Sequence, residues 1–442
     1  MLNRLHLWLL RCVALGLCLA SSGTACAQAM RVHFIDVGQG AATLIEFPCA
    51  AMLIDTGGED PKSFDSPAAL MKYLDRFFET RPELQNTLHS LVITHPHIDH
   101  TRGVDAVLGR YRVRNAIVNG RYPRAPEHPN QGDRGQVALY KAAELALETL
   151  DRSDDIEVHP AWVSDIPKGK GLTSPVIDPI QCDDIDPKIT LLWGTSKAKG
   201  TWTKKAFENQ NNHSVVLRID FGKSSMLITG DLQEEAIGSM VEHYRGTRML
   251  DVNLYQVGHH GSHNATTDAL MQAVTPDIAV IATGAPARVG DFTAFVHGHP
   301  RWVTVEKLIK HVRKARPTVN LPVAFGQRSF YPVPISKAIY ATGWDGNMVF
   351  EATRTGIWKL LPLPEEENDE VADGGPPPPL NINTATEEEL VQLPMIGTTK
   401  ARAIVDYRTT QGPFPNPESV IRVPGIGPST LRVIRNLITT GS

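Results

Sequence analysis

Thr94-His95-Pro96-His97-Ile98-Asp99-His100 puts three histidines and an aspartate into one short stretch. Just before it, Leu88 to Ile93 ends in the apolar run Leu91-Val92-Ile93, the length and content of a buried strand. The ligand-type side chains therefore fall at the C-terminal mouth of a strand, where open α/β sheets place their sites. Pro96 disfavours a helix, so the spacing predicts His95 and His97 on one side of an extended segment. Imidazole nitrogens beside a carboxylate suit zinc or another borderline divalent cation.

Working outward, Phe34-Ile35-Asp36-Val37-Gly38-Gln39-Gly40 and Leu53-Ile54-Asp55-Thr56-Gly57-Gly58 precede this stretch. Ile228-Thr229-Gly230-Asp231 and His259-His260-Gly261-Ser262 follow it. In this order, with His-x-His-x-Asp-His between them, they resemble the metallo-β-lactamase superfamily, and within it the hydrolase domain of the ComEC competence proteins. The resemblance implies an α/β fold, an αββα sandwich, holding two divalent ions, zinc or manganese. It implies one ion between His95, His97 and His213, and a second between Asp99, His100 and a late histidine, with Asp231 bridging both. Two cations roughly 3.5–4 Å apart need an anion between them, and Asp231 supplies it. Related ComEC sequences often lack a histidine at the position of His213, so its presence argues for two-metal occupancy. His259 and His260 both follow the apolar run Val252 to Val257; one is expected to bind metal and the other to face substrate. Asp99, Asp231, His260 and His299 are the candidate catalytic residues, His299 as proton donor or phosphate contact. Asp36 and Asp55 stand at strand ends. Asp55 is expected to accept a hydrogen bond from a ligand histidine and fix its tautomer, with Asp36 a second candidate for that task.

At 442 residues the chain has room for two or three domains, and a formal net charge of -4 gives no global sign of nucleic acid. Arg4 and Arg11 flank an apolar stretch, Val13 to Ala20, and Ala25-Cys26-Ala27 follows. That is the pattern of a secretory signal peptide over residues 1–27, implying a secreted or periplasmic protein, with Cys26 a possible lipidation site. Beyond the leader only Cys49 and Cys182 remain, an even pair that can form a disulfide in an oxidising compartment.

Residues 28–360 read as the hydrolase domain, with strands and helices alternating. Met30 to Phe47 reads as two strands joined at Gly38-Gln39-Gly40, and Ala68 to Phe78 as an amphipathic helix. Residues 120 to 135 are expected to form a loop near the site, with Val137 to Leu150 helical. His213 to Phe221 and Ser225 to Ile228 read as a hairpin, and Trp302 to Ala315 as a helix closed by Pro317. Glu365 to Pro379, acidic and then proline-rich, reads as a stiff, solvated linker within 361–379.

Residues 380–442 contain an internal repeat of helix, turn and helix around Met395-Ile396-Gly397 and Gly425-Ile426-Gly427. This all-α module resembles the paired helix-hairpin-helix domain of the ComEA DNA receptors. Glycine turns at helix N-termini let backbone N–H groups meet phosphate, which holds a backbone without reading sequence. Gly397, Lys400, Gly425, Ile426, Gly427 and Arg432 are the candidate DNA contacts. The first turn has Met395 where the family has glycine. The whole points to an exported di-metal phosphodiesterase acting on DNA. The alternatives are hydrolysis of a small ester, such as a phosphorylcholine-type phosphodiester or a lactone, and a DNA-binding competence-type factor.

Overall fold

Two sheets stack face to face in the computed structural model, which describes residues 29–59, 62–121, 156–288, 290–363, 379–391, 393 and 395–441. The leader, the expected helix Val137 to Leu150 and most of the loop and linker expected nearby lie outside the described residues. Eight strands form the first sheet, in the spatial order Trp358–Leu361, Met348–Thr353, Ala29–Phe34, Thr43–Glu46, Ala51–Ile54, Ser90–Ile93, Asn115–Val118 and Glu157–Pro160. The second has six: Ile339–Ala341, Ile278–Ile281, Leu254–Val257, Ser224–Ile228, Val216–Phe221 and Lys188–Trp193.

Alternation along the strands explains the layering. Leu44, Leu53, Leu91 and Ala116 point outward, onto Leu70, Leu74 and Phe77 of helix Ser66–Thr80 and onto Val104 and Val107 of helix Val104–Arg110. Their neighbours Ile45, Met52, Ile54, Val92 and Ile117 point inward, into a core shared with Leu217, Ile219 and Phe221 of the second sheet. Strands covered on both faces need continuous apolar runs, which is why Leu91-Val92-Ile93 carries no polar residue. Helices Asp268–Val274 and Trp302–His311 contribute Leu270, Met271, Val305 and Leu308 to the packing of the second sheet. The result is an αββα sandwich.

Each sheet is antiparallel in one part and parallel in the other. Parallel strands send their C-terminal ends the same way, so the residues after Ile54, Ile93, Ile228 and Val257 emerge together at one end of the sandwich.

Several boundaries differ from expectation. The helix from Trp302 ends at His311, not Ala315, because Ala315–Gly326 is a long strand paired with Ser329–Lys337. Pro317 lies inside that strand, where exposed edge positions tolerate a missing N–H. His213 does not head a strand: it ends the 3-10 turn Gln210–His213, and the strand starts at Val216. The first two strands are joined by a longer connection than Gly38-Gln39-Gly40, running from Ile35 to Ala42. In the tail, helix Pro428–Ile434 gives way to a 3-10 turn and the short strand Ile438–Thr439, which pairs with Leu380–Asn381. The tail has its own core, built on Ile382, Leu390, Ile404, Phe414, Val420 and Leu437. No helix among the described residues is long and apolar enough to cross a membrane.

Cys49, in the turn before Ala51–Ile54, is disulfide-bonded to Cys182, which packs into the inter-sheet core ahead of Lys188–Trp193. The bridge closes a span of 133 residues. Protein lacking the leader should therefore show no titratable thiol without reductant. Cys49→Ser with Cys182→Ser should lower the unfolding free energy by about 3–5 kcal/mol, read from urea denaturation.

Candidate metal centre and nucleic-acid module

The turn after Ser90–Ile93 delivers the first ligands. The chain bends at His95 and Pro96, and His97, itself extended, caps a single helical turn, Ile98–Thr101, that lifts Asp99 and His100 into the same space. Two glycine motifs hold this loop down. A Cβ on Gly57 would come within 1.6 Å of Asp99 O, so only glycine permits the contact. Thr56 N donates to His100 O (2.9 Å) and Ala41 N to Asp99 O (3.1 Å). The Gly-Gln-Gly and Asp-Thr-Gly-Gly motifs thus act by letting backbone meet backbone.

Four rings turn Nε2 inward because something holds the other nitrogen. His100 Nδ1 donates to Asp55 Oδ2 (2.7 Å) and His260 Nδ1 to Ala282 O (2.8 Å). His259 Nδ1 faces Asn264 Oδ1 (3.1 Å), and His95 Nδ1 faces Thr94 Oγ1 (3.2 Å). The freed nitrogens converge on Asp231: His100 Nε2 lies 3.3 Å from its carboxylate, His260 Nε2 3.5 Å, His259 Nε2 3.7 Å and His95 Nε2 3.8 Å. His95 Nε2 is 3.1 Å from His97 Nδ1, His100 Nε2 is 3.3 Å from His260 Nε2, and His260 Nε2 is 3.2 Å from Asp99 Oδ2.

These spacings test whether the donor set fits a metal. Tetrahedral ligands at 2.0–2.1 Å from zinc are separated by about 3.3 Å, close to the separations seen here. Asp99, His100, Asp231 and His260 form a group able to hold one ion. Beside it, His95 Nε2 and His259 Nε2 approach the same Asp231, and His97 approaches His95. Among the described residues, the ion-pair partners of Asp99 and Asp231 are all histidines. Burial would raise both carboxyls, yet the neighbouring rings hold them well below the ordinary carboxylate range. Burial likewise works against a charge on His100, but Asp231 and Asp55 overcome it and raise its pKa well above the usual histidine value. Burial wins at His95, His97 and His259, which are lowered and so present bare lone pairs.

The turn carrying the late histidines is strained. His259 and His260 have φ of 49° and 52°, and Asp55 has 59°. Left-handed backbone at residues with a Cβ costs roughly 1–3 kcal/mol each and clusters at functional sites.

His213 is not brought to this cluster. Its Nε2 faces Phe207 O (2.8 Å), its Nδ1 accepts from Ser196 N (3.3 Å), and its ring packs near Trp202 and Phe207. The physical reason is the 3-10 turn, which points Asn211 rather than His213 at the centre: Asn211 Nδ2 lies 3.4 Å from His259 Nε2. Asp36 reaches no ligand histidine either. It caps Gly38 N (2.9 Å) and faces Arg288. Asp55, in contrast, accepts from Thr94 N (2.8 Å), Thr94 Oγ1 (2.8 Å) and His100.

His299 is buried beside the late histidines, its ring stacked 6.2 Å from that of His260. Thr283 Oγ1 donates to Gln39 Oε1 (3.1 Å), so the Gln39 amide donates to His299 Nδ1 (3.1 Å) and leaves the proton on Nε2. Sequence reasoning passed over His297, whose ring is 5.7 Å from that of His299. Its alternation in His297-Gly298-His299 was the available signal.

In the tail, the two turns are near copies. Met395 has φ 62° where Gly425 has 86°, so the methionine adopts the same left-handed geometry at greater steric cost. Ile396 and Ile426 bury their side chains in the tail core, and their amides donate to Leu393 O and Val423 O. Ile426 is thus an anchor of its turn rather than a phosphate contact through its side chain. Gly397 and Gly427 cap the following helices in extended conformation, each with open space where a Cβ would be. Lys400 Nζ donates back to Met395 O (2.9 Å), Arg435 pairs with Glu418, and Arg432 lies on helix Pro428–Ile434.

This arrangement meets its relatives in two places. The family description of the metallo-β-lactamase superfamily matches residues 35–285, and that of the helix-hairpin-helix motif matches residues 378–439. The chain belongs to the metallo-β-lactamase superfamily, whose fold implies divalent metal ions, and its tail is a helix-hairpin-helix domain. It is similar to ComE operon protein 3 of Bacillus subtilis, 24% identical over 71% of this chain and 35% of that protein. Recombination protein 2 of Haemophilus influenzae is 25% identical over 58% of this chain and 24% of that protein. The tail alone is 43% identical to ComE operon protein 1 of Bacillus subtilis, over 15% of this chain and 33% of that protein. The chain thus spans about a third or less of the length of these curated relatives.

Asp55→Asn tests the support of His100. Asparagine tolerates the left-handed backbone, but its single carbonyl cannot serve both Thr94 and His100. Metal affinity, read by equilibrium dialysis, should fall 10–100-fold, with the circular dichroism spectrum unchanged.

Proposed function

We propose that the chain is an exported, two-metal phosphodiesterase that cleaves nucleic acid, DNA foremost. The observation that carries this reading is the joining of a convergent His/Asp cluster to a tail whose turns suit phosphate. The leader pattern and the disulfide between Cys49 and Cys182 support export to an oxidising compartment.

His95, His97, His259 and Asp231 would hold one ion, and Asp99, His100, His260 and Asp231 the other, with zinc or manganese suiting the donors. When bound, such ions acidify water to a pKa of about 7 and offset charge growing on phosphoryl oxygens. The protein's own share is orientation. Asp55 and the Ala282 carbonyl fix two ligand tautomers, and Gln39 keeps the His299 proton on Nε2, ready to be donated to a leaving oxygen. The tail contributes affinity for the backbone, and the linker raises the local concentration of substrate at the cleft.

Incubation of leader-less protein with single- and double-stranded DNA, RNA, bis-p-nitrophenyl phosphate and nitrocefin, with Zn²⁺ or Mn²⁺, tests the reading. Nucleic acid and the small phosphodiester should be cleaved and nitrocefin spared; cleavage of a small ester alone would replace the nuclease reading with the small-ester one. Asp231→Asn should reduce turnover of every substrate by about a thousandfold or more, the several kcal/mol that metal positioning supplies.

Gly397→Asp with Gly427→Asp separates the tail. Aspartate is a favourable helix cap, so the tail should stay folded, but its carboxylates would meet phosphate where N–H groups belong. KM for long DNA should rise, with turnover of bis-p-nitrophenyl phosphate unchanged.

A further inference from the structure

The segment from Ser196 to Glu208 is rich in cations. It carries Lys197, Lys199, Lys204 and Lys205, all exposed, against a single acid, Glu208. That is a local charge of +3 on a chain whose formal net charge is -4. Glu208 faces Lys204 at 3.7 Å, an exposed pair that neutralises little. Lys197 sits 4.6 Å over the ring of Trp162, and Lys199 donates to Trp202 O, so two of the four lysines are held in place rather than swinging free.

The segment is also fastened to the metal centre. Ser196 N and Phe207 O, near its two ends, both meet the ring of His213. Asn212 Nδ2 donates to Ala206 O (2.9 Å) within it. From the same 3-10 turn, Asn211 faces His259, and Ser214 Oγ just after it accepts from Asp231 N (3.0 Å). This short turn and the serine after it therefore hold the lysine segment on one side and the Asp231 backbone and the His259 ring on the other. His213, not gathered with the ligands, is thereby given a place: its two ring nitrogens close the lysine segment upon that turn.

We propose that Lys197, Lys199, Lys204 and Lys205 form a track for the phosphate backbone of a nucleic-acid strand entering the metal cleft. This rests on the nucleic-acid reading above. Four exposed cations on one anchored segment suit repeated phosphates, and point charges of this kind hold a backbone without reading bases.

Binding of a fluorescent single-stranded oligonucleotide to the full leader-less protein, in EDTA so that nothing is cleaved, tests the track separately from the chemistry. Replacing the four lysines with alanine should reduce the slope of log K against log salt by about 2–3, since each phosphate contact on a single strand contributes about 0.7. KM for DNA should rise while bis-p-nitrophenyl phosphate turnover stays at the wild-type level. A control replacing Lys223, Lys310, Lys314 and Lys359, exposed on other parts of the molecule, should leave the slope nearly unchanged. An unchanged slope in the first variant, or an equal loss in the control, overturns the track. Absence of oligonucleotide binding by the wild type overturns both the track and the nucleic-acid reading. Binding with the expected loss but no cleavage of any phosphodiester supports the track and removes only the nuclease reading.

Discussion

Two carboxylates, Asp231 buried and Asp99 mostly so, sit among histidines at one end of the sandwich, and the rest of the structure is arranged to make that tolerable. A buried charge is stable only when paired and hydrogen-bonded. Here the pairing comes from rings whose outer nitrogens are already committed to Asp55, to Ala282 O, to Asn264 and to Thr94. Each commitment turns a lone pair inward. The ligand side chains are thus oriented by contacts within the protein, and a divalent cation would serve as charge partner to the two carboxylates in place of the rings.

The strands explain how residues as far apart in sequence as His95 and His260 can share one carboxylate. Parallel pairing of Ala51–Ile54 with Ser90–Ile93, and of Ser224–Ile228 with Leu254–Val257, sends four loops out at the same end. Those loops then have to bend sharply. Left-handed backbone at Asp55, His259 and His260, and the close approach of Gly57 to Asp99, are the local cost, offset by the large cores on either side of the first sheet. The disulfide ties a turn of that sheet to the irregular segment leading into the second. It acts on the frame and leaves the site untouched.

The tail repeats one solution twice with unequal chemistry. Buried Ile396 and Ile426 anchor equivalent turns, and the left-handed position is filled by Met395 in one and Gly425 in the other. Several of its cations are engaged with its own acids or carbonyls, as Arg402 with Glu387 and Arg435 with Glu418. A weakly charged tail of this sort favours backbone amides over cations as its means of holding phosphate.

Local pattern determined a good deal. The apolar run before His95, the glycine motifs at Gly38 to Gly40 and Asp55 to Gly58, the doublet His259-His260 and the repeat around Ile396 and Ile426 were all legible, because each is a short-range consequence of strand burial or turn geometry. The orientation of Asp55 toward a ligand histidine was legible for the same reason: an acid at a strand end beside a ligand loop has few other partners. What only the tertiary structure decided is where rings point once the chain has turned. His213 was expected among the ligands, yet a 3-10 turn carries it to Phe207 and Ser196 and brings Asn211 toward His259 in its place. His297 gave only a spacing of two from His299. The long hairpin from Ala315 to Lys337 was hidden although Val319, Leu321, Val323 and Phe325 alternate, because Pro317, Pro322, Pro332 and Pro334 argue locally against a paired strand. Sequence fixes which residues can serve as ligands; long-range strand pairing and the turns it forces select which of them do.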